Sequence, residues 1–153
     1  MLVRAVPGVA MSSLVHLPGA GRPVGSRIRM KVEPGDADGF AVFESVLPPA
    51  WEGPPPHRHL SDDAAFYVLE GTVAFELDGV SHHCGPGSVV SVPRGSAHAF
   101  ANPGTEPARM LVITTPEATR LVEAVHTLVE RDPEPAPQIV RALYRAHHTE
   151  ITG

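Results

Sequence analysis

The apolar positions of this chain fall into short runs separated by glycine and proline. Runs with strand-favouring composition occupy 26–32, 40–47, 65–69, 73–77, 80–84, 88–92, 97–102 and 110–114. Many short strands divided by turn residues predict an all-β sandwich or barrel. Asp78-Gly79, between two of these runs, is the strongest hairpin signal, because both central positions of a two-residue turn need positive φ. In that register Leu77 faces Val80, Phe75 faces His82 and Val73 faces Cys84, so the six side chains share one face. The face is largely apolar and is expected to point into the core, taking His82 inward and His83 outward. An inward His82 is either a hydrogen-bonded core histidine or a direct metal ligand.

The period changes in the last third. Thr115-Pro116-Glu117 reads as a helix start: a capping hydroxyl, a proline at the first helical position and an acid in the first turn. Leu121, Val122, Val125, Leu128 and Val129 then recur at helical spacing. The proline-rich stretch 132–137 ends that helix. A second amphipathic helix is expected over 137–147, with Ile139, Val140 and Leu143 on one side. The expected organisation is one domain: a barrel with an N-terminal extension over 1–114, and a helical tail over 115–153. The tail is too small to hold its own core, so it should pack on the barrel or on a dimer partner.

Composition removes several function classes. The 153 residues suit a single core. Net charge is −5 and Lys31 is the only lysine, so no basic cluster is available to neutralise a row of phosphates, and nucleic acid is not an expected partner. No apolar run approaches the ~20 residues of a membrane span. Pro7, Gly8, Ser12, Ser13 and His16 interrupt the apolar residues of 1–17, which leaves no signal-peptide core and makes the cytoplasm the expected location. Cys84 is the only cysteine, which excludes an intrachain disulfide and a thiolate zinc cage. A transition metal would have to be held by His, Asp or Glu.

Five of the nine histidines lie in the central third: His57, His59, His82, His83 and His98. A strand puts residues i and i+2 on one face, so His57 and His59 project together behind the stiff Pro54-Pro55-Pro56 approach. Imidazole is a good ligand for divalent transition metals, and two such ligands need a third. His98 follows Pro93-Arg94-Gly95-Ser96-Ala97, a turn that re-aims the chain after an apolar strand. Arg58, between the paired histidines, should point away from them.

These segments resemble the cupin superfamily. The run Gly87-Ser88-Val89-Val90-Ser91-Val92-Pro93-Arg94-Gly95-Ser96-Ala97-His98-Ala99-Phe100-Ala101-Asn102 is similar to its second motif. His57-Arg58-His59 with Phe66-Tyr67-Val68-Leu69-Glu70-Gly71 is similar to its first, with two departures: Trp51 stands at the spacing of the opening glycine (Gly53 is nearby), and Ala64 stands where the motif has a metal-binding glutamate. The tail ending at Gly153 is similar to that of single-domain, quercetin-dioxygenase-like cupins. The resemblance implies an antiparallel double-stranded β-helix, or jelly-roll barrel, usually a homodimer. It also implies a divalent metal (Fe, Mn, Ni, Co, Cu or Zn) held by His57, His59 and His98 near one mouth.

Ala64 leaves three outcomes open. A three-histidine centre of neutral ligands would keep a formal +2 on the metal and favour anionic exogenous ligands. Asp63 or Asp62 would otherwise supply the carboxylate, although alternation turns Asp63 to the opposite face unless a bulge intervenes. Alternatively the histidines bind or protonate a ligand without metal. Ala64 also removes a general base, for which His82 is the inward candidate by register, with Asp63 or Asp62 behind it. The function expected from the resemblance is metal-dependent, dioxygenase-like chemistry on a small, anionic or enolisable aromatic substrate. The alternatives are a non-oxidative isomerase or polyketide-type cyclase, and a non-catalytic small-molecule binding module.

Overall fold

A computed structural model describes residues 15–153. The reading of 1–17 therefore falls almost wholly outside the described residues. The elements in chain order are β1 (Arg22–Val24), β2 (Ile28–Val32), β3 (Ala41–Leu47), β4 (His57–His59), β5 (Ala64–Glu70), β6 (Val73–Leu77), β7 (Val80–Cys84), β8 (Val89–Val92), β9 (His98–Ala101) and β10 (Ala108–Thr114). Then follow α1 (Pro116–Arg131), α2 (Pro137–Ala146) and β11 (Thr149–Ile151). The strands form two antiparallel sheets, ordered β1-β2-β3-β10-β5-β8 and β11-β4-β9-β6-β7. This is the mainly β jelly roll that the short-strand pattern anticipates, with two helices near its C-terminal end.

Alternation sets the core between the sheets. Ala41, Phe43, Ser45 and Leu47 of β3 turn inward, as do Ala64, Phe66 and Val68 of β5 and Ala108, Met110, Val112 and Thr114 of β10. Phe66, Phe75 and Phe100 join across the interior with ring centroids 5.3 to 6.0 Å apart. Burying each such ring is worth roughly 1.5–3 kcal/mol. Gly53 enters the barrel at φ +84, and a Cβ there would lie 1.7 Å from the Phe100 carbonyl oxygen. Only glycine fits that crossing.

The β6–β7 hairpin turns through Asp78 (φ 47) and Gly79 (φ 84). Its register pairs Leu77 with Val80, Phe75 with His82 and Val73 with Cys84, as the turn chemistry requires. The inward placement of His82 is not realised. β7 is the outer strand of its sheet, and Val80, Ser81, His82 and His83 are all exposed. Register decides which side of the sheet a residue takes; only an opposing layer buries that side. Among the described residues Phe75 has one and His82 does not.

The first helix begins where expected: the Thr115 hydroxyl accepts from the Ala118 N–H at 3.1 Å, with Pro116 following. Arg22 of β1 bridges Glu33 (2.9 Å) and Glu123 of α1 (2.8 Å), fastening the helix to the larger sheet. The second helix turns differently from the expected Ile139–Val140–Leu143 face. Val140 and Tyr144, one turn apart, point inward, while Ile139 is exposed. The chain then does something the helical reading of the tail did not anticipate. β11 pairs antiparallel with β4, setting Thr149 against His59 and Ile151 against His57. No described helix is long and apolar enough to cross a membrane.

Candidate metal centre

The three expected histidines meet. His57 and His98 are direct cross-strand partners between β4 and β9, and His59 lies two residues along the same face. Their ring centroids are 4.3 Å apart for His57 and His98, 5.1 Å for His57 and His59, and 5.4 Å for His59 and His98. One ring nitrogen from each lies within 4.8 Å of the other two, and all three side chains are buried.

The hydrogen bonds assign the tautomers. His57 Nδ1 is 2.8 Å from the Pro55 carbonyl oxygen and His98 Nδ1 is 3.1 Å from that of Ser96. A carbonyl only accepts, so both Nδ1 atoms carry the proton. His59 Nδ1 is 2.8 Å from the Thr149 hydroxyl, which itself donates to the His147 carbonyl at 3.1 Å. Having used its one proton, that hydroxyl accepts from His59. All three Nε2 lone pairs are thereby left for an ion, the arrangement that outer partners impose on metal-ligating histidines. Burial, with the neighbouring imidazoles, pushes the pKa of His57 down to about 3 and that of His59 to about 4; burial lowers His98 as well. Neutral imidazoles are the ligand-competent form. The donor set therefore fits a divalent transition ion.

Neither acidic candidate joins them. Asp63 is exposed on the outer side, as alternation required, and its carboxylate takes Arg94 at 3.0 Å and the Arg94 backbone N–H at 2.8 Å. Arg94 holds the Asp63 carboxyl below its ordinary value. The pair clamps the turn ahead of His98, a turn also tied to β4 by Gly95 N–H donating to the His59 carbonyl at 2.7 Å. Asp63 thus positions a ligand strand and does not enter the site. Asp62 is buried, and Thr115 donates to its Oδ1 at 2.6 Å. Its other oxygen has no partner, and it is not one of the residues grouped around the ion position. His82 lies on exposed β7, away from the triad. Arg58 points outward and pairs with Glu150 at 2.7 Å.

The triad opens into a cavity of about 290 Å³. Ala64 lies in its wall, so position 64 faces the ligands and brings no carboxylate; among the described residues no Asp or Glu lines the cavity. Phe66, Phe100 and Met110 line it, whereas Phe75 is sealed in the core and Phe40 is exposed. Leu121, Val122, Val125, Leu128 and Val129 of α1 complete the wall opposite the barrel.

Among the further polar lining residues that escaped the sequence reading, three bear on the chemistry. Tyr144 is buried, sets its ring edge-on to His57 (5.5 Å, 84°) and makes no hydrogen bond through its hydroxyl. Burial pushes its phenol up to about 12, so it stays a donor at neutral pH. Arg27 lies over the Trp51 ring, 4.5 Å from its centroid. His126 of α1 is pushed down to about 4, by burial first and then by Arg27. An i, i+4 pair such as Val140–Tyr144 could have flagged the tyrosine. No local signal marks Arg27 or His126.

Comparison with known proteins agrees with this geometry. The family model described as "Cupin domain" matches residues 43–114. The fold is a cupin jelly roll. The match and the structural neighbours together support the cupin superfamily. Among solved structures, the chain is 27% identical to the polyketide cyclase RemF from Streptomyces resistomycificus, at a TM-score of 0.52 over 76% of this chain and 80% of that one. It is 25% identical to the DMSP lyase DddQ from Ruegeria pomeroyi DSS-3, at 0.50 over 57% of this chain and 45% of the lyase, so it spans less than half that relative's length. A sugar phosphate isomerase from Silicibacter pomeroyi DSS-3 matches at 24% and 0.52 over 71% of this chain and 75% of that one, a likeness of fold alone. No curated protein matches the sequence.

Proposed function

We propose that this cupin is a metal-dependent enzyme that cyclises or isomerises a small, enolisable aromatic substrate without oxidising it. The observation that carries this reading is the cavity wall: three neutral imidazole donors at one end, no carboxylate among the described lining residues, and mostly aromatic and aliphatic side chains over the rest. A bound divalent ion would supply Lewis acidity, undiminished by any anionic protein ligand, at a substrate carbonyl. The protein's own groups do the remainder. Phe66, Phe100 and Trp51 offer flat apolar surface to an aromatic ring. The α1 side chains exclude water, which strengthens polar contacts inside. Tyr144, neutral and unpartnered beside His57, donates a hydrogen bond to an oxygen that gains charge as the substrate enolises. A cavity of about 290 Å³ is at the small end for ligand sites and suits one or two rings. The similarity to a polyketide cyclase supports the same chemistry.

The test uses zinc-reconstituted protein and 1-phenylbutane-1,3-dione as an enolisable aromatic probe. Exchange of the protons between its carbonyls is followed by NMR in D₂O, with an oxygen electrode in parallel. Accelerated exchange that needs both zinc and His98, with no oxygen uptake, is expected. Oxygen consumed in proportion to substrate by protein reconstituted instead with ferrous iron would establish the dioxygenase-like alternative. Failure to retain zinc after reconstitution would end the metalloenzyme reading.

A further inference from the structure

The cavity has a second polar pole that the triad does not explain. Arg27 lines it half-buried, with no carboxylate and no hydrogen-bond partner for its guanidinium among the described residues. Several other arginines of this chain meet an acid: Arg22, Arg58, Arg94, Arg109 and Arg120. A cation left unpaired in an apolar wall is costly unless something neutralises it. Contact with the Trp51 face offsets only part of that cost. Because the indole covers one face, the edge of the fork, with its paired N–H donors, is what remains for a ligand. His126, also in the wall and close enough to Arg27 to feel its charge, stays neutral and adds an imidazole without adding repulsion.

A run of rings joins this pole to the triad. Phe66 touches His98 (6.3 Å) and Phe100 (5.5 Å), Phe100 touches Trp51 (5.9 Å), and Trp51 carries Arg27. Phe100 lies two residues from His98 on one strand, about 7 Å along it. A row of aromatic side chains therefore lines the way from the triad to Arg27.

We infer that Arg27, stacked on Trp51 and flanked by His126, is an anion subsite that binds the carboxylate of an aromatic acid whose ring lies along Phe66 and Phe100 toward the histidine triad. A planar carboxylate matches the free edge of the guanidinium, which accepts it through two parallel N–H donors. The inference rests on the proposed function for the direction in which the substrate lies, and it narrows the substrate to an aromatic carboxylate. Arg27 acts here as a specificity-determining residue.

Calorimetric titration of the full chain with 2-naphthoate and its neutral counterpart 2-naphthamide tests this, on chelator-treated and on zinc-loaded protein. Trp51 is the only tryptophan, so quenching of its fluorescence reports binding from inside the subsite. Metal-free wild type should bind the carboxylate at least about tenfold more tightly than the amide. Arg27→Met should abolish that preference. Arg27→Gln, which keeps a polar side chain, should do the same and decides the matter if the methionine variant does not fold. A preference that survives either folded variant overturns the inference. So does one that appears only with zinc, because the anion then sits at the triad. Failure of the metalloenzyme reading would leave the metal-free arm fully interpretable.

Discussion

Thr149→Val tests whether the outermost strand organises the metal centre. Thr149 is fully buried, and valine preserves its volume and its β-branched fit to the strand. The ladder between β11 and β4 is made by backbone and is untouched. What disappears is the oxygen that accepts the His59 Nδ1 proton at 2.8 Å. A buried donor left without a partner costs about 1–3 kcal/mol. His59 can recover some of that by changing tautomer or rotating, and either movement takes its Nε2 lone pair off the ion. Loss of such an outer partner generally weakens metal binding by about 10–100-fold, equivalent to roughly 1.4–2.7 kcal/mol. Competition against a chromophoric zinc chelator near neutral pH measures it directly. Thr149→Ser keeps the oxygen and should bind zinc nearly as wild type does, which separates the hydroxyl from packing. Zinc affinity in Thr149→Val within about threefold of wild type would refute the role given to this hydrogen bond.

Three further outcomes follow from the same geometry. Burial holds His57 at about 3, and His59 and His126 at about 4, against an ordinary 6.5. The unfolded chain therefore takes up protons that the metal-free folded chain refuses; stability is complete above pH 6.5 and should fall as pH drops from 6.5 toward 4, by up to about 1.4 kcal/mol per pH unit for each such group. A flat urea midpoint across that window would contradict the burial of these rings. Ala64→Glu puts a carboxylate into the wall beside the triad; zinc should bind at least about tenfold more tightly while small anions at the ion bind less well, and unchanged anion affinity would remove charge as the reason. Asn102→Ala deletes a buried amide that donates to the Leu47 and Glu106 carbonyls at 3.0 and 2.8 Å and accepts from Gly104 at 3.0 Å. Denaturant unfolding should show a loss of about 2–4 kcal/mol without altered zinc stoichiometry.

The triad was legible because its geometry is largely local. Two residues on one strand face and a third after a tight turn need only the pleat and a family motif to be brought together. The hairpin was legible for the same reason. His82 shows where local reasoning stops: its register is as expected, yet β7 has no opposing layer, and no feature of 73–84 says so. β1 and β11 are three residues each, too short for alternation to show. Thr149, Arg27, His126 and Tyr144 reach the site through pairings and helix packing far along the chain, and their residue types alone carry no sign of it. Asp63 was rightly expected to face outward, and its partner Arg94 turned it from a candidate base into a clamp.

The bond from His59 to Thr149 spans 90 residues. At typical synthesis speeds of about 5–20 residues per second, His59 emerges from the ribosome roughly 5–20 s before the residue that orients it. His98 follows sooner, but the nascent triad still lacks one of its three outer partners until β11 docks. Tight ion capture then waits for β11. Metal retention would mark chains in which β11 has found its place.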